Sequence, residues 1–289
     1  MLKCYNVAVV GASGFIAKNL RRYLSDNNIK LISISRNDFK TFNNESKIIS
    51  KHYDEKNILQ KIKNSDALIH LVGIGKQSVK TDFEMVNVQF TNHVVNLTKK
   101  AKIKKIIYLS GLGVSPNTSS GYFISKYKAE KIIIDSGLDY TIFRPSYVVG
   151  KDDLFTKYLK KQIKNTQILI PGSGKYTIQP IHIDDVVQVI LRSISDRKFN
   201  HKIIDLVGPD LVTFEKYVKL FFKGTKINIK KIRLEDAYHD AIINPKSDFG
   251  IDDLNILIGN FKGNHEKLSK MTKLKFQSII KLLQSGRLS

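Results

Sequence analysis

The sequence predicts an α/β chain: an open, doubly wound parallel sheet with a smaller lobe towards the C-terminus. Three observations predict it. Short apolar runs alternate with helical patterns along most of the chain, as crossover helices between parallel strands require. The first apolar run, residues 7–10, breaks at a glycine turn and passes directly into a helix. At 289 residues the chain can bury one large α/β core or a core with an added lobe.

The elements follow in order. Residues 7–17 read Val-Ala-Val-Val-Gly-Ala-Ser-Gly-Phe-Ile-Ala. Gly11 permits a tight turn, Gly14 removes the Cβ that would block a pyrophosphate, and Ala17 lets helix and strand pack closely. Ser13, Gly14, Phe15 and Ile16 then present backbone amides at a helix N-terminus, where the dipole favours an anion. A helix is expected over 18–25, a strand over 30–35, a weak strand over 48–52 and a helix over 57–63. A strongly apolar strand, 67–72, ends at Gly73. A long helix over 82–100 leads to a strand at 105–110, a helix at 121–136 and a strand at 140–143 that ends at Arg144-Pro145. The pattern loosens between 150 and 180, where Pro171-Gly172-Ser173-Gly174 marks a loop. Asp184 has the character of an N-cap for a helix that carries Val186, Val187, Ile190, Leu191 and Ile194 on one face. Residues 202–207 form a last strand, and Gly208-Pro209 opens a mostly helical lobe. The expected division is a dinucleotide-binding core over 1–150 and a mixed region over 151–289, of which about 182–208 completes the sheet.

Composition narrows the classes. Hydrophobic content of 42% and charged content of 26% describe an ordinary globular protein. No charged-then-apolar leader is evident, and no apolar run approaches the roughly 20 residues a membrane span requires. The single cysteine, Cys4, rules out an intramolecular disulfide and fits a reducing cytoplasm. The formal net charge is +22, and only eight of the 48 basic residues are arginine. Specific nucleic-acid readers favour arginine forks, so nucleic acid is disfavoured as a partner. Lysines are spread over 99–105, 157–164, 219–231 and 262–281. They read as solvated faces, or as surfaces for an acidic protein partner or an acidic membrane surface. Localisation is expected to be cytoplasmic, with peripheral attachment at the inner face of the membrane as an option.

Chemistry-bearing residues cluster where the strands end. The second strand ends at Ser35-Arg36, and a cation there suits a ribose 2′-phosphate where a carboxylate would suit a 2′-hydroxyl. Arg36 therefore favours NADP(H) over NAD(H), although Asp38 stands two residues later. Leu71, Val72 and Gly73 leave room beside an adenosine or diphosphate. Asp54 is a candidate for the adenine amino group, and Asn87 for a backbone or water contact behind Lys126. Tyr122 and Lys126 lie at i, i+4 on one helix face. The lysine and a cationic nicotinamide would lower the phenol's pKa, so that Tyr122 exchanges a proton with a substrate hydroxyl or carbonyl. Lys126 would also bond the ribose hydroxyls. His182 with Asp184 and Asp185 has neither metal-ligand spacing nor a hydrolase triad's pattern.

Gly11-x-x-Gly14-x-x-Ala17, Tyr122-x3-Lys126 and Arg144-Pro145-Ser146, with Asn87-Val88 and Gln179-Pro-Ile-His-Ile-Asp-Asp185, resemble the extended short-chain dehydrogenase/reductases, the NAD-dependent epimerase/dehydratase group. The resemblance covers roughly residues 5–210. Leu71-Val72-Gly73-Ile74-Gly75, Leu109-Ser110-Gly111-Leu112-Gly113 and Phe143-Arg-Pro-Ser146 look most like the branch containing the nucleotide-binding accessory subunit of respiratory complex I and its prokaryotic relatives. It implies a Rossmann-type doubly wound parallel sheet with a smaller C-terminal substrate lobe, and places Pro145 and Ser146 beside the nicotinamide. One departure stands out: the family's catalytic Ser or Thr position holds Gly111, and a missing positioned donor costs on the order of 10²–10³-fold in rate. Ser110, or Ser119 and Ser120, would have to substitute. Two functional readings follow. One is an NADP(H)-dependent oxidoreductase or epimerase/dehydratase acting at a carbinol or carbonyl carbon, with Tyr122, Lys126 and Ser110 catalytic. The other is a non-catalytic, NADPH-holding accessory subunit or redox-responsive regulator. The small-molecule substrate is set by residues 151–181 and those after Gly208, which carry no readable signature.

Overall fold

The computed structural model describes residues 5–78, 80–164, 167–244, 247 and 249–288; Cys4 lies outside them. The elements are β1 Asn6–Val10, α1 Phe15–Asp26, β2 Lys30–Ser35, β3 Glu45–Ile49, α2 Glu55–Ile62 and β4 Ala67–His70. A π-helical segment, Glu84–Gln89, runs into α3 Phe90–Lys100, followed by β5 Lys105–Leu109, α4 Gly121–Ile134 and β6 Asp139–Pro145. Then come β7 Val148–Val149, α5 Leu154–Lys164, β8 Gln167–Pro171, β9 Thr177–Ile178, β10 Ile181–His182, α6 Ile183–Ser195 and β11 Lys202–Leu206. The chain ends with β12 Val212–Thr213, α7 Phe214–Phe221, β13 Asn228–Ile232, α8 Leu234–Ile243, α9 Ile251–Ile258, α10 His265–Thr272 and α11 Ile279–Gln284.

Seven strands form one sheet in the order β11-β6-β5-β4-β1-β2-β3. Every pairing from β3 across to β6 is parallel. The order reverses at β1, which has β2 on one side and β4 on the other. That switch point opens a crevice at the carboxyl ends of β1 and β4, where doubly wound sheets bind ligands.

The chain divides into two compact units. The first comprises Met1–Ser119, Phe123–Arg144 and Val186–Ile204, the second Ser120–Tyr122, Pro145–Asp185 and Asp205–Ser289. The first unit's core joins Ala8, Val10, Ile34, Leu68, Ile106 and Ile142 from the strands to Ile58, Val94, Ala129 and Ile133 from the helices. Strands buried on both faces read as continuous apolar runs, which is why the pattern was visible. The second unit has its own core, built on Val149, Ile168, Ile170, Phe214, Tyr217, Val218 and Leu257.

Three local expectations differ from the structure. The third strand is Glu45–Ile49, earlier than 48–52. The main-chain N–H of Tyr53 bonds to Ser50 O, and the N–H of Asp54 to Ser50 Oγ, so the chain turns there instead of pairing. The long helix is not uniform, because its π-helical segment centres on Asn87, whose amide reaches out to the main chain of Ile74. Asp184 is not an N-cap, because α6 already begins at Ile183. His182 Nδ1 accepts from Asp184 N instead.

His70, at the end of β4, is fully buried, and its Nε2 lies 3.0 Å from Thr91 Oγ1. Burial, reinforced by Lys126, pushes its pKa down to about 3. A depressed folded-state pKa gives stability that is present above the ordinary value of 6.5 and is lost as pH falls towards 3. Unfolding free energy at pH 5 is expected to be about 2 kcal/mol lower than at pH 7 from this group alone. Urea titrations of the parent and of His70→Gln at both pH values check this; an equal pH response in the two proteins refutes it.

Candidate dinucleotide site

In the first unit, the glycine turn sits where β1 meets α1. Gly11 has φ +90°, and a Cβ there would stand 2.8 Å from Val72 Cγ2 and 3.0 Å from Val72 N. Both geometry and neighbours therefore require glycine. The N–H groups of Gly11 and Ala12 both donate to Ile34 O, tying the turn to β2. Gly14 is different. Its φ is −70°, and a Cβ would meet only Gly11 O, at 3.7 Å. Among the described residues no neighbour excludes a Cβ at 14. It is the N-cap of α1, with no side-chain cap and no acidic residue in the first turn. The helix thus offers uncapped amides over Phe15 and Ile16, the arrangement that holds an anion.

Leu71 N bonds to Val10 O, which sets Leu71 and Val72 against the turn. Ser13 Oγ lies 3.0 Å from Ser35 Oγ, so the turn abuts the end of β2, where Arg36 is exposed. Asp38 is occupied by Lys47 at 2.6 Å, and that ammonium holds its carboxyl below the usual carboxylate range. A cavity of about 330 Å3 opens on the same side, lined by Ser13, Lys18, Arg21, Arg22, Phe39, Lys40 and Phe42. Arg21 is its buried floor. Its guanidinium bonds both Glu45 oxygens, Ala12 O and Lys40 O, and lies 4.3 Å from the centre of the Phe39 ring. Arg22 rests over Phe42, and neither Arg22 nor Lys40 has a carboxylate partner among the described residues. Sequence reasoning passed over Arg22, Lys40 and both phenylalanines, which carry no motif.

Lys126 is buried behind the ends of β4 and β5. Its Nζ donates to Tyr108 Oη and to Leu109 O, each at 3.0 Å. Burial pushes its pKa down to about 8, against the opposing pull of Glu130. A Cβ on Gly73 would stand 3.0 Å from Lys126 Nζ and 3.3 Å from Asn87 Oδ1. Gly73 is therefore the slot that admits the ammonium. Asn87 accepts from Ile74 N and donates to Ile74 O and Ser125 Oγ. Its contacts are these main-chain and hydroxyl groups next to Lys126. Ser110 follows β5, its N–H bonded to Phe143 O, and its buried Oγ has no hydrogen-bond partner among the described residues. Asp54 is the N-cap of α2, accepting from Lys56 N.

In the second unit, Tyr122 opens α4 beside the first turn of α9. Asp252 Oδ1 accepts from Ser120 Oγ at 3.1 Å and from Tyr122 N at 3.5 Å. Burial, then the Asp252 charge, pushes the phenol up to about 12; the lowering expected from sequence relies on a nicotinamide ring beside it. Asp252 is 130 residues away along the chain, so no spacing rule announces it. Ser146 N bonds to Leu206 O, which fixes the segment after Pro145. The motif beginning at Gln179 is structural within this unit. Gln179 donates to Gly208 O and accepts from Gly263 N, and the buried Asp185 accepts from Gln277 N.

A parallel sheet with a switch point at β1, an uncapped glycine-led helix and a buried lysine define a Rossmann-type dinucleotide-binding fold. The chain belongs to the NAD dependent epimerase/dehydratase family, whose profile matches residues 7–206. Among curated proteins it is 24% identical over 234 residues to the mitochondrial NADH dehydrogenase (ubiquinone) 1 alpha subcomplex subunit 9 of Dictyostelium discoideum, covering 76% of this chain and 65% of that protein. It is 20% identical to the mitochondrial NADH-ubiquinone oxidoreductase 40 kDa subunit of Neurospora crassa, covering 87% and 76%. The chain thus spans just under two thirds of the first relative's length. Among solved structures, a nucleoside-diphosphate-sugar epimerase of Staphylococcus aureus superposes with a TM-score of 0.77 at 16% identity, covering 96% of this chain and 99% of that one. A UDP-glucuronic acid 4-epimerase of Bacillus cereus, in complex with UDP-glucuronic acid and NAD, gives 0.76 at 16% identity, covering 97% of each. These superpositions establish the shared fold. Among the described residues no helix is long and apolar enough to cross a membrane.

Proposed function

We propose that this chain binds NADP(H) and uses it as an oxidoreductase or epimerase/dehydratase on a carbinol or carbonyl substrate. The observation that carries the reading is Gly14, a glycine the fold does not need, at the head of an uncapped helix. The residues present fit the cofactor: amides of Ser13 to Ile16 for the diphosphate, a flat approach past Leu71 to Gly73, and Lys126 for ribose hydroxyls. Arg36, with Lys40 four residues on and both Lys40 and Arg22 lining the cavity, supports the 2′-phosphate form, and Asp38 is engaged by Lys47. Bound, the nicotinamide supplies hydride transfer. Tyr122 holds the proton at its Oη and exchanges it with the substrate oxygen, one helical turn from Lys126 on α4. Ser110 is the remaining hydroxyl next to Gly111, and Pro145 and Ser146 line the nicotinamide side.

A second reading, an NADPH-holding accessory subunit, draws on three observations: Gly111 lacks a hydroxyl, Tyr122 is held strongly protonated, and several relatives are named as subunits of NADH dehydrogenase or NADH-ubiquinone oxidoreductase. Its partner would be a protein complex at the inner face of a membrane, met through lysine-rich faces; the first reading needs only a cytoplasmic protein.

The two glycines test the binding reading directly. Gly14→Ala is expected to lower the melting temperature by only a few degrees, the cost of a poorer N-cap, and to weaken NADPH binding on the order of tenfold or more. Gly11→Ala is expected to destabilise the fold itself. Parent-like NADPH binding by a folded Gly14→Ala protein refutes the proposal.

A further inference from the structure

Lys126 is held by groups that the family resemblance does not account for. An ammonium has three donors. Two are taken, by Tyr108 Oη and Leu109 O. The same ammonium lies 4.7 Å from the centre of the Tyr108 ring. Tyr108 is fully buried, and its ring also packs against His70, with ring centres 5.2 Å apart. His70 is neutral throughout the physiological range and is anchored by Thr91, which in turn donates to Asn87 O. The charged neighbour on α4 itself, Glu130, is gripped by two nitrogens of Arg144 from β6, at 2.9 and 2.6 Å. The groups that face Lys126 from β4, β5 and the π-helical segment, namely His70, Tyr108 and Asn87, are all uncharged.

We propose that Tyr108 is a positioning residue: its phenol oxygen and the Leu109 carbonyl take two Lys126 protons and leave the third for a hydroxyl of the bound dinucleotide. The inference rests on the proposed role of Lys126 in holding that hydroxyl, and deepens it with a pH limit on binding. A buried ammonium without a bonded carboxylate keeps its proton only by the grace of oxygen acceptors. Tyr108 supplies one acceptor and a negative ring face. As pH rises through about 8 the ammonium is lost and the hydroxyl loses a charge-assisted donor.

The test is the pH dependence of NADPH affinity, followed by nucleotide fluorescence between pH 6.5 and 9.5, in the full-length parent, Tyr108→Phe and Lys126→Met. The parent is expected to lose about tenfold in affinity across the rise. Tyr108→Phe keeps the ring and its stacking but lacks the oxygen, so its loss begins at lower pH and it binds severalfold more weakly at pH 8. Lys126→Met binds weakly at every pH with no such step. A folded Tyr108→Phe protein with the parent's pH profile overturns the proposal, while a flat Lys126→Met profile leaves the lysine assignment standing. A Lys126→Met protein with parent-like affinity and profile overturns both. If Tyr108→Phe does not fold, 3,5-difluorotyrosine placed at position 108 keeps the shape and ionises more readily. The resulting phenolate would hold the ammonium to higher pH, so the loss should move upward, and an unmoved profile overturns the proposal.

Discussion

Tyr122→Phe is expected to lower turnover by about 10²–10⁴-fold, the usual contribution of a positioned general acid or base. NADPH affinity should stay nearly unchanged, because the diphosphate and ribose contacts are assigned to the glycine turn and Lys126. The measurement is single-turnover hydride transfer on a panel of carbonyl and nucleotide-sugar substrates, paired with a binding titration. Raised to about 12, the phenol keeps its proton across the working range. Activity through Tyr122 acting as an acid should then be flat up to alkaline pH and fall only as the proton is lost. Unchanged turnover in the variant removes Tyr122 from the mechanism. An inactive parent that nonetheless retains NADPH favours the accessory-subunit reading.

The second large effect is on stability. Glu45→Ala is expected to cost about 3–5 kcal/mol, because it leaves the Arg21 guanidinium buried without its counter-charge. The two side chains are 1% and 0% exposed and meet at 2.6 Å. The remaining acceptors, Ala12 O and Lys40 O, satisfy hydrogen bonds but not the charge. A melting temperature lower by roughly 10 °C is the expected readout. The double variant Arg21→Met with Glu45→Leu removes the charge along with its partner and should recover much of the loss. A single variant within 1 kcal/mol of the parent, on the order of an exposed pair, refutes the account.

The parallel sheet was legible because strand segments such as Val7–Val10 and Ala67–Ile69 are buried on both faces and therefore read as unbroken apolar runs. The glycine turn was legible because its requirements are local: a positive φ at Gly11 and an absent Cβ at Gly14 are properties of single positions. Lys126 was found by its spacing from Tyr122, but its surroundings were not, since Tyr108 and His70 look like ordinary strand residues until the register of β4 and β5 sets them side by side. Arg21 sits in a Leu-Arg-Arg run that reads as a helix surface. Its burial depends on Glu45, which lies on strand β3. Asp252 and its effect on Tyr122 are long-range in the same sense. Residue type and spacing reveal what is built along the chain, and stay silent on charges brought together across it.

The contrast between the two glycines of the turn also has an evolutionary reading. Gly11 is constrained by its own backbone and by Val72, so any descendant that keeps the fold must keep it. Gly14 meets only the Gly11 carbonyl oxygen at ordinary contact distance, and in the proposed function its constraint is the nucleotide. In a lineage that abandoned its nucleotide, position 14 would be released to drift while position 11 stayed fixed. Sequencing this turn across relatives would therefore distinguish lineages still under selection for a ligand from those in which only the scaffold survives.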